Sequence, residues 1–446
     1  MRRLRRLLAE GSRYAPVKMS GTLHYSAYNY FFTLKDGNTL LYNFLTGRFL
    51  RLNAFQRGYF DHAEEKSEDE PFMRLLRDRG FLVDYDEAAF LKARAHASLG
   101  YGKTLELMLC PTMACNLRCG YCFEQNAGVC HGSMSAEVES ALLETVEATL
   151  RAQRCGELRV TWYGGEPLLA ADAILRMSER LIELCGELGV VYSATMISNG
   201  TLLTPALAEQ LYARKLTAVQ ITLDGPRTIH DASRPALSGE SSFDAICRNL
   251  RALNVPLHVD LRCNIHRGNA AYLPELKALA QELDRESAAE IRLYSAGVTA
   301  EPGAASTEAM ELPLTQFSNG GSPIDENLLT VRRCACGKSA AFALTVDSEG
   351  YLYMCERQVG RKEEAYGNVL DVRGDLGAFK LSTAADRAVL SAWMNMAFPE
   401  DEECLQCKQL PICMGGCPYD RLLGKKRCNR AKYDPEAYIR AVTHCE

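Results

Sequence analysis

The chain has 446 residues, enough for a large core with one or two satellite domains. Its 47% hydrophobic and 24% charged residues are ordinary for a globular protein, and a net charge of -5 excludes the broad basic face of a nucleic-acid binder. No apolar run reaches the roughly 20 residues of a membrane span, and eighteen cysteines without a secretory signal point to metal ligation rather than disulfides.

The start, Met1 to Leu8, is charged and lacks the apolar stretch of a signal peptide. It reads as a short basic surface helix or as an extension ahead of Met19. Three short strands follow, Tyr28–Leu34, Thr39–Tyr42 and Phe49–Leu52, with Asp36-Gly37 and Thr46-Gly47 as the turn signals. Helical spacing of apolar residues then marks Ala54–His62 and Pro71–Arg79, and Glu87–Ala97 reads as a charged linking helix. Residues 1–98 on this pattern resemble the winged-helix peptide-recognition element that precedes many peptide-modifying enzymes. In that element an extended leader peptide adds a strand to the sheet edge. The same pattern equally suits a packing appendage that caps the next domain.

From Thr104 strands and helices alternate, which favours a parallel sheet with crossover helices. Strands are expected at Thr104–Leu109, Leu158–Tyr163, Val190–Ile197, Ala218–Leu223, His258–Ile265 and Ile291–Leu293. The intervening helices are Ser135–Arg154, Ala171–Leu188, Pro205–Arg214, Phe243–Leu253 and Leu273–Leu283. Six such units are too few to close a barrel of eight strands. The fold class is therefore α/β, a partial (βα)6 barrel over residues 99–300 with its chemistry in loops at the carboxyl ends of the strands.

In the first such loop Cys115, Cys119 and Cys122 are spaced CxxxCxxC. Three thiolates on a cubane leave one iron open, whereas a four-cysteine zinc knuckle closes every position. The triplet resembles the signature of the radical S-adenosylmethionine (SAM) superfamily, and later strand ends agree with it. Gly164, Gly165 and Glu166 are similar to that family's GGEP turn, where glycines allow close approach to the ligand and the acid helps hold the SAM ammonium. Ser198 and Asn199, and Arg262 with Asn264, match positions that contact the SAM ribose and carboxylate. Asp224, in Leu223-Asp224-Gly225-Pro226 with His230, Asp231 and Arg234 behind it, resembles a loop of the peptide-modifying members. It is the catalytic candidate, a carboxylate that accepts a proton or orients substrate, although it would equally fix the turn before Gly225.

Beyond a linker rich in Ala, Glu, Ser and Gly through Asp325, cysteines return across residues 301–446. Cys336 and Cys355 frame Gly350, and Cys404, Cys407, Cys413 and Cys417 read CxxCxxxxxCxxxC ahead of Cys428. This arrangement resembles the SPASM extension of radical SAM enzymes, which carries two auxiliary clusters; a zinc ribbon is the structural alternative. The resemblance implies that Cys334, Cys336, Cys355 and Cys417 hold one cubane, and Cys404, Cys407, Cys413 and Cys428 the other. Without Cys334 the first would keep an open iron, and Cys445 could replace Cys428. Cys110, Cys130, Cys155, Cys185, Cys247 and Cys263 fit no cluster spacing and read as small buried hydrophobes.

Three [4Fe-4S] clusters and SAM are thus the implied cofactors, and hydrogen abstraction from an unactivated carbon the implied chemistry. The implied partners are a ribosomal precursor peptide and a flavodoxin- or ferredoxin-like electron donor, in an anaerobic bacterial cytoplasm, with no nucleic acid and no membrane. A maturase that installs a cysteine thioether is the first expectation. An anaerobic sulfatase-type maturase making formylglycine is the second, and a noncatalytic electron carrier stands as the alternative from another class.

Overall fold

The computed structural model describes residues 22–60, 71–100, 103–122, 124, 132–266, 268–297, 329, 331–332, 336, 343–374, 376 and 384–445. The basic start, Phe123, Cys130, Cys334 and the linker through Asp325 lie outside the described residues. Among those described, no helix is long and apolar enough to cross a membrane.

The N-terminal strands are β1 (His24–Tyr25), β2 (Asn29–Thr33), β3 (Thr39–Asn43), β4 (Phe49–Leu52) and β5 (Leu82–Val83). Strands β2, β3 and β4 form an antiparallel sheet in that order, and β1 pairs with β5. Alternation along β3 sends Leu41 to one face and Leu40 and Tyr42 to the other. Leu41 joins Leu52 beneath Met73 and Leu76 of the helix Pro71–Arg79. The opposite face, with Tyr28, Phe32, Leu40 and Phe44, packs on Phe398, Leu410, Ile412, Met414, Tyr438 and Ile439 from the far end of the chain. The N-terminal sheet thus shares a core with the cysteine-rich region, so what it covers is that region rather than the barrel.

Six parallel strands follow: β6 (Thr104–Leu109), β7 (Glu157–Trp162), β8 (Val191–Ser198), β9 (Leu216–Thr222), β10 (His258–Ile265) and β11 (Glu290–Gly297). They are neighbours in chain order, each joined to the next through at least one helix. The helix Ala171–Leu188 shows why those helices dock: Ile174, Met177, Leu181 and Cys185 recur at helical spacing and are all buried. Against the helices lie Leu105, Leu107, Leu158, Val160, Trp162, Leu261 and Cys263. The pleat therefore turns the alternate residues Glu106, Arg159, Thr161, Arg262 and Asn264 to the other, polar face of the sheet.

The sheet does not stop at residue 300. Strand β12 (Ala343–Val346) pairs parallel to β6, and β13 (Tyr351–Tyr353) and β14 (Gly367–Asn368) extend it antiparallel, making nine strands. The expected boundary at 300/301 thus cuts across one continuous sheet. A second difference is the helix Arg227–Ser233, directly after Asp224-Gly225-Pro226, where sequence reading placed only a loop.

Candidate functional site

Cys115, Cys119 and Cys122 lie in the loop after β6, Cys119 buried and the other two half-buried. The loop is irregular, so its backbone groups need partners elsewhere. Ala114 O accepts from Glu166 N at 2.8 Å, and Thr112 O from Gly165 N at 3.3 Å. On the other side Arg118 N donates to Pro235 O at 2.9 Å, Gly120 N to Ser233 O at 3.1 Å, and Leu237 N to Asn116 O at 2.9 Å. The cysteines are thus clamped between the turn after β7 and the segment after β9.

The glycines of the first clamp are dictated by space. A Cβ on Gly164, whose φ is +123°, would stand 2.2 Å from Thr112 O. One on Gly165 would stand 2.4 Å from Ala114 O and 2.5 Å from Met113 O. The close approach inferred from sequence is made to the backbone of the cysteine loop. Glu166, fully buried, accepts from Leu168 N at 3.0 Å, Ser198 Oγ at 2.9 Å and Asn199 N at 2.7 Å. Three of about four acceptor sites on the carboxylate are taken, which makes it a brace between the ends of β7 and β8.

Asn199 reaches back to the loop, donating from Nδ2 to Asn116 Oδ1 at 2.8 Å. Asn116 in turn donates to Thr201 Oγ1 at 2.9 Å, and Asn249 Nδ2 holds the carbonyls of Gly200 and Thr201. Asn116 carried a sequence signal, its place inside the cysteine motif; Asn249 carried none.

The third brace centres on Tyr121, between Cys119 and Cys122. Its hydroxyl donates to Asp224 Oδ2 and accepts from Arg234 Nη1 at 2.7 Å and Asn264 Nδ2 at 3.1 Å. Asp224 is fully buried, and its Oδ1 accepts from Asn264 N at 2.8 Å. Asn269 Nδ2 donates to the Asp224 carbonyl at 2.8 Å. Both carboxylate oxygens are engaged, so Asp224 braces the cysteine loop. Burial raises its pKa and the Arg234 charge opposes that. Arg262 Nε donates to Asn264 Oδ1 at 2.8 Å and continues the chain of contacts along β10. His230 Nδ1 accepts from Asp224 N at 3.1 Å, and Asp231 accepts from Ser241, Ser242 and Phe243 N to start the next helix.

Four of the described C-terminal cysteines share one cavity, and the others lie outside its lining. Cys355 is buried, and Cys336 and Cys417 are half-buried. Arg357, which donates to Asp420 at 2.9 Å, lies 3.7 Å from Cys417 Sγ. Cys404, Cys407, Cys413 and Cys428 line one cavity, part of it open to solvent, with Lys432 Nζ 3.5 Å from Cys428 Sγ. That quartet is the set that the sequence resemblance assigns to the second auxiliary cubane. Cys445 is not in the cavity; its Sγ lies 3.6 Å from Thr443 O. Cys110, Cys155, Cys185, Cys247 and Cys263 are buried.

Among the described residues no three His, Cys, Asp or Glu side chains converge closely enough to grip a single ion. A cubane is wider than one ion and takes one thiolate at each iron, so four cysteines spread around a cavity suit it. The N-terminal triplet suits a three-thiolate cluster: Cys115 neighbours Cys119, and Cys119 neighbours Cys122, on a loop clamped from both sides. Burial pushes the Cys115 thiol up to about 11, and iron would displace that proton.

Residues 109–295 match the family model of the Radical SAM superfamily. The cysteine-type anaerobic sulfatase-maturating enzyme of Clostridium perfringens (strain 13 / Type A) is 24% identical over 363 residues, 74% of this chain and 91% of that protein. The serine-type enzyme of Klebsiella pneumoniae is 24% identical over 342 residues, 68% of this chain and 79% of that protein. Among solved structures, native anSMEcpe with bound AdoMet superimposes with a TM-score of 0.59 at 21% identity, covering 76% of this chain and 97% of that one. Streptococcus suis SuiB does so with a TM-score of 0.50 at 18% identity, over 90% of this chain and 97% of its own.

Proposed function

We propose that this radical SAM enzyme is a peptide maturase that takes a hydrogen from a residue of a ribosomal precursor peptide and installs a cross-link, a cysteine thioether. The observation that carries the reading is the free edge of β4. Strand β4 ends the N-terminal sheet with no partner strand among the described residues, whereas at the other edge Arg440 Nη2 donates to Thr33 O, the last residue of β2. An extended leader adding to β4 would gain main-chain hydrogen bonds with little demand on sequence. The other two strands of that sheet share a core with the cysteine-rich region through Phe32, Leu40 and Tyr42. The sulfatase-maturating fold, matched over 97% of its own length, leaves about a quarter of this chain without a counterpart.

Cys115, Cys119 and Cys122 would hold the SAM-binding cluster, with Gly164, Gly165, Ser198, Asn199, Arg262 and Asn264 around SAM. Cys336, Cys355 and Cys417, with Cys334, would hold one auxiliary cluster, and Cys404, Cys407, Cys413 and Cys428 the other. When bound, the reduced cluster and SAM supply a primary carbon radical strong enough to take an unactivated hydrogen. The protein's share is placement: the braces on Glu166, Asn199 and Asp224 fix the cysteine loop, and the polar face bearing Arg262 and Asn264 would hold SAM against it. Thioether formation breaks one C–H and one S–H bond, makes one C–S bond and releases two electrons. The hydrogen taken from carbon would carry one electron and one proton, the S–H proton would leave to solvent, and the cysteines assigned to the auxiliary clusters would hold the group able to take the second electron. A flavodoxin- or ferredoxin-like protein would supply the initiating electron.

Formylglycine formation is the second reading, favoured by the curated relatives that match 74% of the chain. Anaerobic coexpression with a small neighbouring reading frame, followed by mass spectrometry, separates the two. A loss of two hydrogens with a cysteine resistant to alkylation is expected. Conversion of a cysteine to an aldehyde selects the second reading.

A further inference from the structure

Arg234 is the one arginine or lysine that is buried among the described residues, 8% exposed. It sits directly behind the cysteine loop. Its Nη1 donates to Tyr121 Oη at 2.7 Å, and its guanidinium carbon lies 6.0 Å from the centre of that ring. Its Nε has no hydrogen-bond partner in the described structure. Tyr121, which stands between Cys119 and Cys122, joins it to buried Asp224. His230, packed on the same turn, is held neutral by burial. Arg118, within the loop itself, is exposed.

A cluster on three thiolates is anionic when oxidised and gains a further negative charge when reduced. Inside a low-dielectric site a fixed cation favours the more negative state, and nearby charge is one of the levers that set a cluster's potential. Burying a lone guanidinium is costly unless it has counter-charge. We propose that Arg234 is the counter-cation of the SAM-binding cluster, a positioning and tuning residue whose charge raises that cluster's reduction potential, with Asp224 as the opposing charge. The proposal rests on the reading that Cys115, Cys119 and Cys122 hold the cluster.

The test is the midpoint potential of the cluster whose EPR signal changes when SAM is added, measured on the reconstituted full-length protein. Arg234→Gln should shift it to a more negative value, and Arg234→Lys, which keeps the charge, should recover most of the shift. Asp224→Asn, which removes an anion at nearly constant shape, should shift it the other way. Wild-type potential in Arg234→Gln overturns the proposal. If Arg234→Gln fails to take up iron, an unchanged or more negative potential in Asp224→Asn overturns it instead. If no signal of the wild-type protein responds to SAM, the assignment of the three cysteines fails rather than the role of Arg234.

Discussion

Asn199 Nδ2 donates to Asn116 Oδ1 across 2.8 Å, joining the end of β8 to the middle of the cysteine loop, 83 residues earlier. With the Gly165 and Tyr121 contacts it makes the loop an inward-facing part of the barrel mouth, held from three strand ends. The polar residues that read from sequence as ligands of a cofactor are also the residues that hold its cysteines in place.

Gly165→Ala tests the tightest of these contacts. The added Cβ would meet two backbone carbonyls at 2.4 and 2.5 Å, where no side-chain rotamer can relieve it. The expected cost is at or above the about 1–3 kcal/mol typical of overpacking. Iron bound after anaerobic reconstitution and SAM affinity should both fall; unchanged values of both would mean the loop tolerates displacement.

Cys428→Ala and Cys445→Ala distinguish the two candidates for the last ligand. Cys428 lines the cavity with Cys404, Cys407 and Cys413, whereas Cys445 sits beside Thr443. Iron content should drop by about a third in the first variant, one cluster of three, and hold in the second. The reverse pattern would assign the ligand to Cys445.

Phe32→Ala tests the core shared between the ends of the chain. Phe32 is 5% exposed and packs with Leu410, Ile412 and Met414, which flank Cys413. Truncating a buried phenylalanine costs about 3–5 kcal/mol. A lower unfolding temperature with loss of iron from the second auxiliary site is expected, although the substitution is some 380 residues away in the chain. Lost stability with full iron content would separate the two regions.

His230 gives the pH dependence. Burial lowers its pKa from 6.5 to about 3, so the folded protein holds it neutral. Below about 6.5 the unfolded chain binds a proton that the folded chain does not, so stability falls as pH falls, by about 1.4 kcal/mol per unit. His230→Gln should unfold with a shallower acid slope between pH 6.5 and 3. Identical slopes in anaerobic denaturation would show that His230 is protonated in the fold.

How much of this was legible follows from range. The CxxxCxxC spacing and the apolar stripe of Ala171–Leu188 are local patterns, and they read directly. Gly164 and Gly165 read as allowing a close approach to a ligand; their contact with Thr112 and Ala114 was not legible, since those lie some fifty residues upstream. Asp224 looked available because its own segment offers no donor for its side chain; Tyr121 and Asn264 arrive from elsewhere in the chain. Strands β12 to β14 run four, three and two residues, and β12 is buried throughout, so no alternation marks them. Docking of the N-terminal sheet on residues 398–439 is a pairing of two apolar faces, each of which alone announces only that it is covered.

The central claim, hydrogen abstraction from a peptide, is tested most directly by isotope transfer. The reduced enzyme is incubated with SAM and the peptide encoded beside it, deuterated at its carbon-bound positions, and the 5′-deoxyadenosine formed is analysed by mass spectrometry. The account predicts deuterium in 5′-deoxyadenosine, matched by the hydrogens lost from the peptide. SAM cleavage that yields only unlabelled 5′-deoxyadenosine and leaves the peptide unchanged would contradict it.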